Sequence, residues 1–397
     1  MRVGTIAGKG WLAAACAALM AVLSAQEAAA QAPVQLNLPG PSGRFEVGTR
    51  ALELVDRKRV DTPGSPGHRR LMVQVTYARA GGAPCEPAPY MPASVQEVLL
   101  KALSIYRSGF VATGVCRGGR IARGKRPVLL FSHAFTANRF VYGTLVNDLA
   151  SRGYVVFAVD HPPDAFAIEY PGGHLYRGKY GPPLSQVTTT ADELAELIEL
   201  RAEDVRFVLR KVLRRSARRS GFLAGRLDPK RVGALGHSLG GATSARAAQL
   251  ARRIDAAVDI DGSLFGEWTE RKGVRTPFLV LAAESGIGSV IAQDRLCGYF
   301  GRLRGPRYAW VLDDAAHFSF SDFQSLAPQI AAADPLWVYA LLYRAVVGTI
   351  DPGVSVKAQR EALASFLGRY VKRARGAPEP TPPAPFAELP VGGCSGS

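Results

Sequence analysis

The chain has 397 residues, 47% of them hydrophobic, and a formal net charge of +16 from 49 lysines and arginines against 33 acidic residues. A basic surface favours anionic partners. However, the basic residues are scattered, apart from the pairs Arg214-Arg215 and Arg218-Arg219, and no aromatic-interleaved nucleic-acid motif accompanies them. The charge therefore predicts a solvated basic face, weak association at most with anionic membrane surfaces, and no nucleic-acid partner.

The first 32 residues predict a secretory signal peptide. Arg2 and Lys9 form a charged start, an apolar stretch runs from Trp11 to Leu23, and the small residues at 28–32 fit a cleavage site. The apolar stretch is too short to span a bilayer comfortably, and no later segment has a long uninterrupted apolar run. We therefore expect an exported protein, periplasmic or secreted.

Four cysteines remain once residues 1–32 are removed: Cys85, Cys116, Cys297 and Cys394. An even number in an exported chain predicts disulfides, although four cysteines allow three pairings. Proximity in sequence favours Cys85–Cys116, and Cys297–Cys394 would then tie down the tail. The sequence has no C-x-x-C motif and no histidine beside these cysteines, so we expect no metal site there.

The first half of the mature chain opens with two strands and then alternates strands with helices. Strands at Phe45–Val55 and Leu71–Tyr77 are expected to pair antiparallel. The apolar strands Val128–Ser132 and Tyr154–Asp160, joined by a helix at Asn138–Arg152, are typical of a parallel sheet that is covered on both faces.

Residues 161–185, rich in Pro, Gly and Tyr, predict a long loop over the site. A helix then begins at Thr190, where Thr190 and Glu193 form a capping box, and ends near Arg215. The later predicted elements are an elbow strand and its helix Gly241–Ala251, strands Ala256–Ile260, Pro277–Ala283 and Tyr308–Leu312, and helices Leu336–Val347 and Val356–Arg373. Residues 376–397 predict an extended, Pro-rich tail.

The alternation predicts one α/β catalytic domain over residues 33–375, with a mostly parallel doubly wound sheet and antiparallel N-terminal strands. Ligands of such sheets bind beyond the carboxyl ends of the strands. The polar side chains expected at those ends are Ser132, His133, Asp160, His161, Ser238, Asp261, Glu284 and His317. Their convergence predicts a functional site at that edge of the sheet.

The segment Gly236–Gly240 has the sequence GHSLG and lies between an apolar strand and a helix. This G-x-S-x-G pattern resembles the nucleophile elbow of α/β-hydrolases, in which the serine sits on a strained turn flanked by glycines. The N–H of Leu239 would lie at a helix N-terminus, where positive potential favours a developing oxyanion. The alternative is a tight strand-to-helix turn with a buried serine.

A serine nucleophile needs a base, and α/β-hydrolases place the acid and the histidine after the serine. Of six histidines only His317 follows Ser238, directly after a predicted strand. The acid that orients His317 is either Asp261 or Glu284, each of which ends a predicted strand. Residue spacing alone favours these two acids about equally.

Three blocks resemble the secreted platelet-activating-factor acetylhydrolases and their bacterial relatives. The first is Phe131–Phe135, with the segments 149–156 and 159–161 after it. The second is Gly236–Thr243. The third is His317–Phe323, in which a histidine is followed by an aspartate–phenylalanine pair. The segment Ile260–Phe265 is similar to the one that carries the acid of that family. The resemblance spans roughly residues 128–323 and implies an α/β-hydrolase fold with Asp261 as the acid.

The resemblance also implies an oxyanion hole made by the main-chain N–H groups of Leu239 and Phe135. A Cβ at Ala134, where the family usually has glycine, is expected to restrict the backbone of that loop. We therefore expect an exported serine esterase that hydrolyses short-chain acyl or phospholipid-type esters through an acyl-enzyme, without a metal or cofactor. The alternatives are a lipase or polyester-type hydrolase of other specificity, and a non-catalytic envelope binding protein with the same fold.

Overall fold

The computed structural model describes residues 34–61, 67–82, 84–105, 108–181, 189–270, 274–285, 290–334 and 343–389. The strands are β1 Val34–Asn37, β2 Val47–Val60, β3 His68–Ala78, β4 Ser108–Ala112, β5 Cys116–Arg117, β6 Arg126–Ser132, β7 Val155–Val159, β8 Ala167–Tyr170, β9 His174–Arg177, β10 Leu227–His237, β11 Ala256–Ile260, β12 Phe278–Ala283, β13 Arg307–Leu312 and β14 Phe386–Glu388. The α-helices are α1 Ala93–Ala102, α2 Gly143–Ser151, α3 Ala191–Ser216, α4 Leu239–Leu250, α5 Val290–Arg302, α6 Phe323–Ala333, α7 Tyr343–Val347 and α8 Pro352–Leu367.

Ten of these strands form one sheet, in the order β14-β13-β12-β11-β10-β6-β7-β3-β2-β5. The six central strands from β13 to β7 are parallel to one another. β3 pairs antiparallel with β7 and with β2, as expected for the N-terminal strands. The predicted fold class, a mostly parallel α/β sheet with antiparallel N-terminal strands, is therefore confirmed.

The central strands are apolar throughout because both faces of the sheet are covered. In β6, Leu129 and Phe131 pack into one core cluster, whereas Val128 and Leu130 pack into the cluster on the other face. Successive side chains of a strand point to opposite faces, so a continuous apolar run fills both layers. This arrangement fixes the carboxyl ends of β6, β7, β10, β11 and β12 along one edge.

Two predicted elements start or continue differently in the structure. The helix expected from Asn138 begins only at Gly143, because the carboxylate of Asp322 accepts the N–H groups of Gly143 at 2.7 Å and Thr144 at 2.8 Å. The segment 161–185 is not only loop, since β8 and β9 form a two-stranded antiparallel sheet within it. The capping box of Thr190 and Glu193 at the start of α3 is confirmed.

The C-terminal segment adds a strand to the sheet, as β14 pairs antiparallel with β13. The predicted helix Leu336–Val347 lies partly outside the described residues, and its described part is α7. The predicted helix Val356–Arg373 corresponds to α8, which is followed by one π-helical turn at Gly368–Lys372.

The predicted disulfide Cys85–Cys116 is present and closes a loop with a sequence separation of 31. Cys297 is also disulfide-bonded. Its expected partner Cys394 lies outside the described residues, as does the predicted signal peptide. Among the described helices, none combines the length and the apolar character needed to cross a membrane.

Candidate active site

Ser238 sits on a strained turn between β10 and α4. Its backbone adopts φ 56° and ψ −124°, and its N–H donates to the carbonyl of Ile260 at 2.8 Å. A Cβ on Gly240 would lie 2.1 Å from the carbonyl oxygen of Ser132. A Cβ on Gly236 would lie 2.3 Å from the carbonyl oxygen of Gly240. Only glycine therefore permits this approach of helix to strand, and the turn leaves Ser238 partly exposed.

His317 and Asp261 are joined by a hydrogen bond at the same edge of the sheet. His317 Nδ1 lies 2.5 Å from Asp261 Oδ2, and the other carboxylate oxygen accepts the N–H of Ala283 at 2.8 Å. Asp261 has φ 50°, a second non-glycine residue in the left-handed region, immediately after β11. Because Asp261 is an acceptor, His317 carries its proton on Nδ1, which leaves Nε2 as a free base.

Glu284, the alternative acid, has a different partner. Its Oε2 accepts the main-chain N–H of Asp314 at 2.7 Å, and its side chain is exposed. Glu284 therefore holds the turn that leads from β13 towards His317. Of the two predicted acids, Asp261 is the one that contacts His317.

The two predicted oxyanion donors lie on segments that pack against each other. Gly240 of α4 approaches the carbonyl oxygens of Ser132 and His133, so the loop after β6 is adjacent to the elbow. In the described part of the chain the N–H groups of Phe135 and Leu239 donate to no other group, so both are available to a ligand. Available donors at a helix N-terminus and in a neighbouring loop are what an oxyanion hole requires.

Ala134 fits the loop without strain. The left-handed residue of this loop is Thr136, with φ 55°, and Ala134 is not among the residues with positive φ. The Cβ of Ala134 was expected to restrict the backbone of this loop, and the observed loop conformation accommodates that Cβ. Arg201 is buried on α3, donates to the carbonyl of His133 at 2.6 Å and pairs with Asp164. These contacts of Arg201 anchor the loop to α3.

Buried hydrogen bonds link this loop to His237, whose ring lies against that of His317. The N–H of Ala134 donates to the hydroxyl of Tyr142 at 3.0 Å, and that hydroxyl lies 3.1 Å from Nδ1 of His237. The Tyr142 hydroxyl accepts from Ala134 and has its own proton to share with Nδ1 of His237. The ring of His237 packs against the ring of His317 with centroids 4.5 Å apart. Burial, and then the neighbouring His317, hold the pKa of His237 well below its ordinary value, so this ring stays neutral.

Removing the Tyr142 hydroxyl tests this connection. We expect Tyr142→Phe to lower kcat/KM for an ester by about tenfold, since the N–H of Ala134 and Nδ1 of His237 both lose a buried partner. Steady-state kinetics with a p-nitrophenyl ester measures the effect. The matched control is Tyr77→Phe, which removes the hydroxyl that donates to the carbonyl of Gly119 at 2.9 Å, far from the site. Equal losses in the two variants would contradict a specific role of Tyr142.

A second set of serine, histidine and aspartate lies nearby but is buried. His161 Nε2 lies 3.1 Å from Oγ of Ser132, and its Nδ1 lies 3.0 Å from Asp204, which also pairs with Arg69. Burial lowers the pKa of His161 to about 4, although the hydrogen bond that His161 donates to Asp204 opposes this shift. All four side chains are at most 1% exposed, so this set holds the ends of β6 and β7 together and cannot meet a substrate.

His133 has a similar structural role. Its Nδ1 lies 2.7 Å from the carbonyl of Ala134, and its Nε2 accepts the N–H of His161 at 3.2 Å. Both ring nitrogens of His133 therefore bond main-chain groups. Asp160 likewise pairs with the buried Arg139. Of the residues expected at the carboxyl ends, only Ser238, Asp261, Glu284 and His317 are accessible.

Two side-chain clusters within the described residues have the proximity that a metal site needs. In one, ligand atoms of His237, Asp261 and His317 lie within 4.8 Å of one another. Nδ1 of each histidine already has a hydrogen-bond partner, and so does each oxygen of Asp261. In the other cluster, Cys85 and Cys116 are joined as a disulfide. The first arrangement suits proton transfer better than metal binding.

Sequence reasoning missed several residues that support the site. Arg201 and Tyr142 act through contacts with residues distant in sequence, so no local pattern marks them. Asp322 belongs to the block that resembles the acetylhydrolases, but its contacts could not be read from that block. Asp322 accepts the Tyr90 hydroxyl at 2.9 Å in addition to the first N–H groups of α2. It joins the His317 segment to α2, which explains why an aspartate follows the histidine in the block that resembles the acetylhydrolases.

A strained serine elbow, an acid after β11 and a histidine after β13, all at the carboxyl edge of this sheet, define an α/β-hydrolase. A family model described as "Platelet-activating factor acetylhydrolase, isoform II" matches residues 93–172, and one described as "PET hydrolase-like" matches residues 186–333. The chain is thus an α/β-hydrolase related to the platelet-activating-factor acetylhydrolases.

Individual relatives agree with this relationship. A probable 1-alkyl-2-acetylglycerophosphocholine esterase of Arthroderma benhamiae is 30% identical over 63% of this chain and 65% of its own length. A platelet-activating factor acetylhydrolase of Gallus gallus is 22% identical over 63% of each chain. The matched regions thus span less than two thirds of these curated relatives. A solved ferulic acid esterase of Streptomyces cinnamoneus superposes with a TM-score of 0.74 and 28% identity, covering 89% of this chain and 99% of its own.

Proposed function

We propose that this protein is a serine esterase that hydrolyses carboxylic esters through an acyl-enzyme. The observation that carries the proposal is the 2.5 Å contact between His317 Nδ1 and Asp261, beside a serine held at φ 56° on a glycine-flanked elbow. Relatives whose names include esterase and acetylhydrolase support the same reaction class.

In the proposed first half-reaction, Oγ of Ser238 attacks the ester carbonyl while Nε2 of His317 takes the hydroxyl proton. The N–H groups of Leu239 and Phe135 hold the oxyanion of the tetrahedral intermediate. The intermediate collapses, the C–O bond to the alcohol breaks, and His317 returns the proton to the departing alcohol. Ser238 is left acylated.

In the second half-reaction, water attacks the acyl-enzyme and gives a proton to His317. The second tetrahedral intermediate expels Oγ of Ser238, which regains the proton, and the carboxylic acid leaves. Asp261 keeps the tautomer of His317 fixed and stabilises the imidazolium in both halves. Apart from the attacking water, every group in this scheme is a side chain or main-chain group of this site.

Two substrate classes follow from different observations. The acetylhydrolase relatives favour short acyl groups on a phospholipid-type alcohol, which agrees with the sequence-based expectation. The PET hydrolase-like match over 186–333 and the ferulic acid esterase neighbour favour aryl esters. Export, supported by the disulfide Cys85–Cys116, would bring the enzyme to such substrates outside the cytoplasm.

The test is hydrolysis of p-nitrophenyl esters with two to sixteen acyl carbons, beside methyl ferulate and a 1-alkyl-2-acetyl phospholipid, with Ser238→Ala as the control. We expect activity on short acyl esters and its loss in the variant. An optimum at long acyl chains or on the ferulate would replace the acetyl-ester assignment. A folded wild-type protein inactive on every ester would overturn the proposed reaction class and favour a binding protein.

A further inference from the structure

An arginine-lined groove lies at the end of the molecule opposite the candidate active site. Its volume is about 640 Å³, and five arginines line it: Arg206, Arg210 and Arg214 of α3, and Arg252 and Arg253 just after α4. The three arginines of α3 are four residues apart and so share one face of that helix. Leu209, Leu213 and Leu250 also line the groove and give it an apolar surface between the charges.

The position of the groove follows from α4. Ser238 precedes the first residue of this helix, whereas Arg252 and Arg253 follow its last turn. Twelve helical residues span about 18 Å, so the groove and the nucleophile lie at opposite ends of the same helix. Pro229, near the start of β10, also lines the groove, and Ser238 follows the other end of that strand.

The arginines of this groove are poorly neutralised by the protein. Arg206 pairs with Glu203. Arg210 interacts electrostatically with Asp56, but within the described ranges Arg214, Arg252 and Arg253 form no ion pair, and these three side chains are exposed. Unpaired like charges placed together repel one another, which disfavours the folded state unless an anion binds between them.

Positive charge also accumulates elsewhere along this edge of the sheet. Burial, and then the neighbouring Arg44, Arg226 and Arg231, lower the pKa of Arg126, which begins β6. A second basic cavity of about 580 Å³, lined by Arg50, Arg120, Arg219 and Arg226, follows the end of α3. The groove therefore belongs to a basic end of the molecule and is not an isolated surface feature.

We propose that this groove docks the protein on an anionic lipid surface, with headgroup phosphates on the arginines and the adjoining apolar part of a lipid against the three leucines. None of the described side chains lining the groove is aromatic, so it offers no stacking platform of the kind that single-stranded nucleic acids use. Docking would turn the candidate active site away from the bilayer, towards esters in the surrounding solution. This inference does not depend on the proposed esterase function.

The test is sedimentation of the full chain with vesicles of phosphatidylcholine alone or mixed with phosphatidylglycerol. We expect binding only to the anionic vesicles, weakening with salt. The variant Arg214→Glu/Arg252→Glu/Arg253→Glu is expected to lower the partition coefficient by at least about tenfold. The control Lys101→Glu/Arg177→Glu/Arg344→Glu changes the net charge equally at exposed residues that form no ion pair within the described ranges, and we expect it to retain binding within about twofold.

Three outcomes would overturn the proposal. Equal losses in the two triple variants would show that net charge alone drives binding. Wild-type protein that leaves anionic vesicles unbound at low salt would exclude a lipid surface. Binding of polyphosphate or DNA without binding of vesicles would identify a different class of partner. A cooperative thermal unfolding transition in the wild type and in both variants establishes that each is folded.

Discussion

Replacing Asp261 by asparagine is expected to lower kcat by about 10⁴-fold, the scale of effect that loss of the orienting carboxylate has in serine hydrolases. An asparagine amide can donate to Nδ1 of His317 and would then place the histidine proton on Nε2, where the base must be free. The asparagine oxygen can still accept the N–H of Ala283, which Asp261 now accepts at 2.8 Å, so the fold should persist.

The comparison variant is Glu284→Gln. A glutamine oxygen can replace Oε2 of Glu284 as the acceptor for Asp314 N–H, so we expect activity within about threefold of the wild type. Steady-state kinetics on one p-nitrophenyl ester measures both variants. A severe loss in Glu284→Gln together with a mild loss in Asp261→Asn would reverse the assignment of the acid.

Asp259 is expected to make the protein less stable as the pH rises. Its carboxyl group is buried between α4 and the segment after β11, and a Cβ on Gly241 would lie 1.8 Å from Oδ1. The main-chain N–H of Gly262 favours the ionised carboxylate, but this contact does not offset the cost of burial. Asp261 is the neighbouring acid, and the Tyr299 hydroxyl also lies near this carboxylate. Burial, and then the charge of Asp261, raise the pKa of Asp259 to about 8.

The direction of the effect follows from proton binding. Between about pH 4 and pH 8 the folded chain holds a proton on Asp259 that the unfolded chain has released, so the free energy of unfolding falls as the pH rises through this range. The full loss is on the order of 5 kcal/mol. The variant Asp259→Asn has no such proton to lose, so its free energy of unfolding should not fall in this way with pH. At pH 9 this variant should be more stable than the wild type.

Urea denaturation at pH 5, 7 and 9 measures this effect in the wild type and in Asp259→Asn. Asp334→Asn, a change at a more accessible acid after α6, serves as the control and should follow the wild type. Parallel pH dependences of the wild type and Asp259→Asn would show that the Asp259 carboxyl is already ionised in the folded protein at neutral pH.

The sequence predicted the parts of the fold that depend on local pattern. Apolar runs such as Val128–Ser132 identify strands buried on both faces, and the glycines around Ser238 identify the elbow. The capping box at Thr190 marked the start of α3 because its two partners lie three residues apart. The site residues Ser238 and His317 followed from chain order and the family pattern.

The remaining features depend on contacts between distant segments. The start of α2 is set by Asp322, about 180 residues later in the chain, and no pattern near Asn138 could reveal that. The pairing of β14 with β13 joins a Pro-rich tail to the sheet across more than 70 residues. The choice of Asp261 over Glu284 came from the family resemblance, since both residues end a strand and only the contact with His317 separates them.

The central claim is that Ser238 is the nucleophile, and covalent labelling with a fluorophosphonate tests it most directly. Intact-mass measurement and peptide mapping of the full chain should give one adduct per molecule, on Ser238, with hydrolysis of p-nitrophenyl acetate lost in proportion to labelling. Ser238→Ala should remain unlabelled and inactive. An adduct on another residue, or undiminished hydrolysis by folded Ser238→Ala, would contradict the account.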